Sequence, residues 1–275
     1  MLHRRERALC GAARRAVSVA AAVAVVSLGA CVGEKKPAPA DIPEINVQVE
    51  RYDVVESRYL ATGDFAALQQ MNTGYPVQTR LLIEDILKIG YVNDPRINVK
   101  FINYYRDSVL QDILREVSVQ YADMSDIDAE LSAAFSRLKQ LIPAIDIPLV
   151  YAQVGALDQS IVITDGMVGV CLDKYLGAKY TPYIAYYPAV QRVTMERSMI
   201  VPDCMMFYLL SVYPGRHDKD DSRIHEIHVA KVQWLVNQIV GKKVFTGVTV
   251  TDVDKYMRRH PKIGAEKLLT TDIQM

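Results

Sequence analysis

The sequence predicts an α+β fold in which helices outnumber strands. Half of the 275 residues are hydrophobic and 23% are charged, so the chain has enough apolar material to form a core. Helical periodicity dominates both flanks of the region after residue 44, whereas β-branched apolar runs cluster in its middle. We therefore expect a small, mostly antiparallel sheet packed against a helical bulk.

Residues 1–30 have the pattern of a bacterial lipoprotein signal peptide. Several arginines precede the uncharged stretch 16–30, which is shorter than the ~20 apolar residues of a spanning helix. The stretch ends in Leu28-Gly29-Ala30-Cys31, the order of a lipobox, so the Cys31 thiol is the expected site of diacylglyceryl attachment. Several acyl chains give a lasting membrane anchor. An ordinary signal peptide, or an uncleaved anchor with an incidental cysteine, is the alternative, and the choice between inner and outer membrane stays open.

Residues 31–44 are rich in proline and mixed charge, which predicts an extended tether between the lipid and the domain. Residues 45–275 are then expected to form a single α+β domain. Cys171 and Cys204 are the cysteines left in that domain. They form either one disulfide or two buried free thiols, and their apolar neighbours favour free thiols.

The first half of the domain is predicted to be one strand followed by helices. Residues 46–52 alternate apolar and polar side chains, which is typical of a strand. Apolar residues three or four apart predict helices over 64–70, 77–89 and 97–120. A further helix over 125–142 has Ser125 as its expected N-cap and Pro143 after its end.

The second half is predicted to hold the sheet and then more helices. Apolar, β-branched runs predict strands over 147–154, 160–164 and 168–172, with Asp165-Gly166 as the turn between the last two. The pattern returns to helix over 190–197, 202–212, 222–240 and 251–259.

Familiar catalytic motifs are missing from the sequence, which has no GxSxG, Walker A, GxGxxG or HExxH pattern. The nearest metal-binding candidate is the group His217, His225, Glu226 and His228. Two histidines three residues apart can share a helix face, but a zinc peptidase helix needs them four apart. A polar surface loop leading into a helix is the alternative interpretation of this segment, and we expect no metal and no cofactor.

The run SIVITDGMVGVCLDKYLG (160–177), followed by Tyr180, Tyr183 and IVPD (200–203), resembles the gliding-motility lipoprotein B (GldB) family of Bacteroidota. The lipobox, VERYD (49–53), QYADM (120–124), Ile147-Pro148 and IVGK (239–242) agree with that family. The resemblance covers residues 46–247, and its LDKYLG segment is the most specific part.

The resemblance implies a distant relationship to zincin-type metallopeptidases and hence a zincin-like domain. In those relatives a helix after the sheet carries HExxH, whereas here the corresponding helix, residues 201–210, has no pair of metal ligands. At the place of the third ligand stands the apolar Val240. The scaffold is therefore expected to lack zincin chemistry.

Residues within and after the LDKYLG segment are candidates for a ligand or partner groove: Asp173, Tyr175, Tyr180, Tyr183 and Gln191. The alternative is structural. The Asp173 carboxylate would then cap the amides of Tyr175 and Leu176, and the tyrosine rings would cover the sheet edge.

Taken together, these patterns predict a lipid-anchored protein of the bacterial cell envelope that binds another envelope protein as a non-catalytic accessory component. The 32 basic and 32 acidic residues balance, which argues against a nucleic-acid partner. A zinc-dependent envelope peptidase and a purely structural anchor are the two alternatives.

Overall fold

The computed structural model describes residues 44–215 and 222–273, and in this part of the chain helices surround one small sheet. The first six helices are α1 Tyr52–Thr62, α2 Phe65–Gly74, α3 Pro76–Arg80, α4 Ile97–Tyr104, α5 Ser108–Gln120 and α6 Ser125–Leu141. The sheet consists of β1 Leu149–Gln153, β2 Ile161–Thr164 and β3 Met167–Cys171. The remaining helices are α7 Thr181–Tyr186, α8 Ala189–Arg192, α9 Ile200–Val212, α10 Ser222–Val240, α11 Val248–Arg259 and α12 Ala265–Thr270.

The helix-rich α+β architecture is confirmed, but the sheet is mixed. Its strand order is β1-β3-β2, with β1 parallel to β3 and β2 antiparallel to β3. The prediction of a mostly antiparallel sheet therefore holds for the β2–β3 hairpin alone. After β1 the chain crosses to the opposite edge of the sheet and forms β2, and β3 then returns between the two. The β2–β3 hairpin closes at Gly166 (φ 72°).

The predicted strand over 46–52 is extended but forms only one bridge, from Glu50 to Tyr151 of β1. Three alternate amides of residues 45–49 donate instead to side chains of α6. The amide of Ile45 donates to Ser136 Oγ at 3.0 Å, that of Val47 to Ser132 Oγ at 2.9 Å, and that of Val49 to Asp128 Oδ1 at 2.9 Å. Every second amide of the segment thus meets every fourth residue of the helix. At Tyr52 the chain turns into α1, a helix that the alternating pattern concealed.

Several predicted helices differ in detail; the one over 190–197, for example, ends at Arg192 as α8. The helix over 97–120 is interrupted between α4 and α5, because Asp107 accepts hydrogen bonds from the amides of Val109 and Leu110 and so begins a new helix. The helix over 77–89 passes from α3 into a π-helical turn, Leu81–Ile86. Ser125 is the first residue of α6 and not its N-cap, since its own amide donates to Asp123 Oδ1.

Two apolar clusters support the described residues. The large one packs α1, α2, α4–α6, α9 and one face of α10 around the sheet, with Tyr52, Phe135 and Tyr151 fully buried. The smaller one joins α10, α11 and α12 through Ala230, Val250, Val253, Met257, Leu268 and Ile273. Within the part of the chain that the structure covers, no helix has the length and apolarity needed to cross a membrane. The predicted signal peptide, Cys31 and all but the last residue of the tether lie outside the described residues.

Candidate functional site

Asp173, the first residue of the predicted groove, is fully buried and braces a neighbouring loop. It lies directly after β3, where Oδ1 accepts a hydrogen bond from the amide of Gly155 at 2.7 Å and Oδ2 one from the amide of Leu157 at 2.5 Å. The predicted caps are absent because the amide of Tyr175 donates to the Leu172 carbonyl. The carboxylate therefore holds the loop that follows β1 and not its own turn.

The predicted groove tyrosines Tyr175 and Tyr183 are also buried. The hydroxyl of Tyr183 accepts a hydrogen bond from the amide of Leu176 and donates one to the Asp173 carbonyl. The hydroxyl of Tyr175 donates to Asp203 Oδ2 at 2.8 Å, and burial raises the pKa of both tyrosines. Both rings thus fix the backbone of the LDKYLG segment from inside the domain.

The other two predicted groove residues lie nearer the surface. Tyr180 is half-buried and packs edge-on against Tyr183, with ring centroids 5.0 Å apart. Gln191 is exposed on α8. The five candidates are therefore divided between the interior and the surface, and the structure does not bring them together as one rim.

A second buried carboxylate, Glu56 of α1, lies close to Asp173 and holds the same loop. Its Oε2 accepts a hydrogen bond from the amide of Val154 at 2.9 Å, while the Tyr105 hydroxyl donates to the Val154 carbonyl at 2.6 Å. Loss of hydration raises the pKa of Asp173 to about 6, and the same cause, strengthened by the Asp173 charge, raises the pKa of Glu56 well above its ordinary value. Two costly buried acids thus hold one short loop.

The braced loop has an unfavourable backbone. Ala156 (φ 51°) and Leu157 (φ 66°) are consecutive residues with a side chain in the left-handed region, which normally favours glycine. Lys88 (φ 54°) is the third non-glycine residue with left-handed φ among the described residues. Such strain persists only where the surroundings enforce it, and it concentrates at functional sites.

All three strained residues line one open cleft of about 620 Å³, which we call the loop cleft. Its other lining residues are Ile86, Leu87, Tyr104, Asp107, Val109, Leu110, Asp158, Tyr186 and Tyr187. The Tyr187 hydroxyl donates to the Leu157 carbonyl at 2.6 Å, and Lys174 Nζ lies 4.3 Å from the centre of the Tyr187 ring. The loop is therefore held from behind by Asp173 and from the side by Tyr187.

The lining of the loop cleft is suited to binding. It offers tyrosine faces, aliphatic side chains and the carboxylates of Asp107 and Asp158. These groups can contact a ligand through ring faces and hydrogen bonds. No serine, cysteine or histidine stands among the described residues that line it, and its titratable groups are two carboxylates, three tyrosines and the Lys88 ammonium.

The histidines of the alternative metal site have other surroundings. His228 is buried, its Nε2 lies 2.7 Å from the Tyr213 carbonyl oxygen, and burial lowers its pKa. His225 is exposed, and His217 falls outside the described residues. Within residues 44–215 and 222–273 no three His, Cys, Asp or Glu side chains are grouped as metal ligands would be. On α9, Asp203 accepts from Tyr175 and Cys204 is a buried free thiol, as is Cys171.

The sequence patterns indicate some residues of the loop cleft, namely Asp173 behind the loop and the tyrosine-rich segment that contains Tyr186 and Tyr187, but not Glu56, Ala156 or Leu157. Glu56 was concealed because the segment before it was predicted as a strand that ends at Tyr52. Ala156 and Leu157 carry no signal for a left-handed turn, since glycine or asparagine is what such a turn normally shows. The one available clue was Asp158, which ends the apolar run GAL before the next strand.

Comparison with known proteins agrees with the family suggested by the LDKYLG segment. A sequence model of the family described as gliding motility protein GldB matches residues 33–244. Comparison with curated proteins and with solved structures finds no match, so the zincin-like relationship stays a prediction. Because the family match covers well over half of the chain, the protein belongs to the GldB family of gliding motility proteins.

Proposed function

We propose that this protein is a lipid-anchored, non-catalytic accessory component of an envelope machinery of the gliding-motility type, and that it binds an envelope protein at the loop cleft. The observation that carries this proposal is the convergence of Lys88, Ala156 and Leu157 on one cleft. Two buried acids and the buried Tyr105 hold this loop. Its backbone is strained at Ala156 and Leu157, whose half-buried side chains also pack against the core. We attribute this backbone strain to the need for a recognition surface that is already formed before the partner binds.

The surface beside the cleft supports a protein partner. Residues 180–191 contain no charged side chain. Within this segment and just after it, Ile184, Tyr186, Val190 and Val193 are well exposed, Val190 to 76%. Contiguous apolar and tyrosine-rich surface next to a cleft is typical of protein interfaces. We therefore extend the proposed interface from the loop cleft onto α7 and α8.

Site-directed photocrosslinking tests the proposed interface. A photoreactive phenylalanine analogue at Tyr186 should give one discrete adduct in intact envelopes, whereas the same analogue at Tyr91, which is 71% exposed and lies outside the cleft lining, should not. The substitution Tyr104→Ala, on the cleft wall, should abolish the adduct formed from position 186. Equal adducts from positions 186 and 91, or an adduct that persists in Tyr104→Ala, would contradict the proposal.

The proposed lipid anchor depends on Cys31. Its thiol is the group that receives the diacylglycerol, so Cys31→Ala should abolish incorporation of radiolabelled palmitate. The matched variant Cys10→Ala, which changes a cysteine outside the lipobox, should leave the labelling unchanged. Labelling that survives in Cys31→Ala would show that the lipoprotein assignment is wrong.

The zinc peptidase alternative has its own test. Metal analysis of the untagged protein should find well below one zinc per chain, and casein cleavage should not respond to a chelator. His228 is expected to keep its bond with the Tyr213 carbonyl whether or not zinc is supplied. Stoichiometric zinc that is lost in the double variant His225→Ala/His228→Ala would favour the peptidase.

A further inference from the structure

A second cleft, between α1 and α5, is distinguished by its arginines. It has a volume of about 570 Å³, and we call it the arginine cleft after Arg51, Arg58 and Arg115, which line it. The spacing of Val54, Arg58 and Ala61 places them on one face of α1, and Gln111, Arg115 and Ser118 lie on the facing side of α5. The two helices thus each present one exposed arginine to the same space.

The single acid of the arginine cleft is already used. Asp53 accepts two hydrogen bonds from Arg51, at 2.9 Å from Nε to Oδ1 and at 2.8 Å from Nη2 to Oδ2. This pairing raises the pKa of Arg51 and leaves its Nη1 donors for another acceptor. Arg58 has no ion pair with any described residue, and Arg115 pairs only with the exposed Asp112. With Arg51 paired to Asp53 and Arg115 to Asp112, the net positive charge of the described lining comes from Arg58.

The remaining polar side chains of the arginine cleft are uncharged: Ser57, Gln111 and Ser118. Gln111 donates to the Tyr105 carbonyl, and the Ser118 hydroxyl donates to the Leu114 carbonyl. Ser57 is only 7% exposed, and its buried hydroxyl has no hydrogen-bond partner among the described residues. An unpaired buried donor beside three guanidinium groups favours an acceptor-rich, negatively charged ligand.

We propose that the arginine cleft binds a phosphate monoester. Arginine forks match the geometry of phosphate oxygens, and their charge is retained at any physiological pH. Beside them, Val54, Leu114 and Ala122 give the cleft an apolar wall. That wall suits an organic substituent on the phosphate, as in a glycerophosphate. The chemistry is shared by a soluble phosphate ester and by the headgroup of an anionic lipid. This site is separate from the loop cleft and does not depend on the function proposed there.

Calorimetric titration of the full-length protein in detergent tests this site with defined probes. Inorganic phosphate, sn-glycerol 3-phosphate and dihexanoyl phosphatidate are titrated in turn. We expect glycerol 3-phosphate to bind, and Arg58→Ala/Arg115→Ala to weaken it by about tenfold or more, since two charge-assisted contacts are lost. The matched control Arg80→Ala/Arg259→Ala removes two exposed arginines elsewhere and should change the dissociation constant by less than about twofold.

The pattern of the three probes identifies the source of the ligand. Phosphatidate that binds about tenfold more tightly than glycerol 3-phosphate indicates a lipid headgroup, whereas equal binding indicates a soluble ester. Absence of measurable binding of all three probes to the unaltered protein would overturn the proposal. Equal weakening in the cleft variant and in the control variant would overturn it too, because the attraction would then be non-specific. The unfolding temperature of each variant shows that its fold is retained.

Discussion

The loop region around β1 and the C-terminal region of α10–α12 differ in how completely their buried side-chain amides and hydroxyls are hydrogen-bonded. In the C-terminal region, Asn237 makes three good hydrogen bonds: Nδ2 donates to the Phe245 carbonyl, and Oδ1 accepts from the amides of Val244 and Phe245. In the loop region, Gln153 Oε1 and the Tyr151 hydroxyl are buried without a partner among the described residues.

The backbone follows the same division. The loop region contains two strained residues and two acids whose pKa values are raised. The described residues of α10–α12 include no non-glycine residue with left-handed φ. A region that only supports the fold can satisfy every local preference, whereas a recognition site keeps costly features for their shape. The strained loop region is therefore where we propose that a partner binds, and the α10–α12 region is where we expect substitutions to affect mainly stability.

The largest expected effect tests the stabilising role of the C-terminal region. Leu268 is fully buried in the smaller apolar cluster, so Leu268→Ala should lower the free energy of unfolding by about 3 kcal/mol through lost burial and a residual cavity. Urea denaturation measures the change. Leu141→Ala, at a position that is 44% exposed, is the control and should cost less than about 1 kcal/mol. Adducts at Tyr186 should survive in Leu268→Ala at low temperature.

The next effect is a pH dependence in the loop region. The pKa of Asp173 is about 6 in the folded protein, against about 3.8 for an exposed carboxyl. The folded state therefore binds this proton more tightly, and the stability linked to it is lost as pH rises from about 4 to about 6. The loss is on the order of 3 kcal/mol.

Asp173→Asn should remove this part of the pH dependence while it costs one of the two loop hydrogen bonds. The free energy of unfolding, measured by urea denaturation between pH 4 and pH 7, gives the comparison. Asp146→Asn is a control at a carboxyl away from the loop. A stability profile with the same slope in Asp173→Asn and in the unaltered protein would show that Asp173 is not the titrating group.

A smaller effect tests the backbone strain. Ala156→Gly removes the clash of a side chain in the left-handed region and should raise the free energy of unfolding by about 1 kcal/mol. Ala61→Gly, in the exposed face of α1, should lower it by about 1 kcal/mol, since glycine disfavours a helix. If both substitutions destabilise the protein equally, the loop is not strained.

The smallest expected effect is a pH dependence of stability in the C-terminal region, with a sign opposite to that of Asp173. Burial lowers the pKa of His228, so the folded state disfavours its proton and stability falls as pH drops below about 6.5. His228→Gln should flatten this fall, whereas exposed His260→Gln should not. The two regions thus respond to acid in opposite directions, and urea denaturation between pH 5 and pH 8 separates them.

The parts of the fold that sequence patterns predict are those with regular periodicity. The helix over 222–240 and the strands of the β2–β3 hairpin agree with the structure because one apolar period runs through each. Helix α1 was missed because apolar alternation before Tyr52 continues the pattern of a strand. Helices α7 and α12 are short, and α7 has so many tyrosines that no polar face appears in its sequence.

The candidate site was predictable only in part, since its position depends on contacts between distant residues. The sequence indicates the LDKYLG segment, yet its Asp173 accepts hydrogen bonds from residues 155 and 157 of an earlier loop. No local pattern links an acid in α1 to that loop, because the two meet only when α1 packs on β1. Such distant contacts enforce a left-handed loop without glycine, so the local sequence carries no signal for it.

The extended segment before α1 has a mechanical consequence. Its amides are attached to α6 one after another, at Ser136, Ser132 and Asp128, in antiparallel order. A pull on the chain at residue 44 away from α6 loads the bond of Ile45 first, and the bonds of Val47 and Val49 bear the load only after it breaks. The segment therefore yields in steps at low force, whereas a pull along the axis of α6 loads all three bonds together and meets greater resistance. Tension that enters the domain through this strand is thus resisted according to its direction.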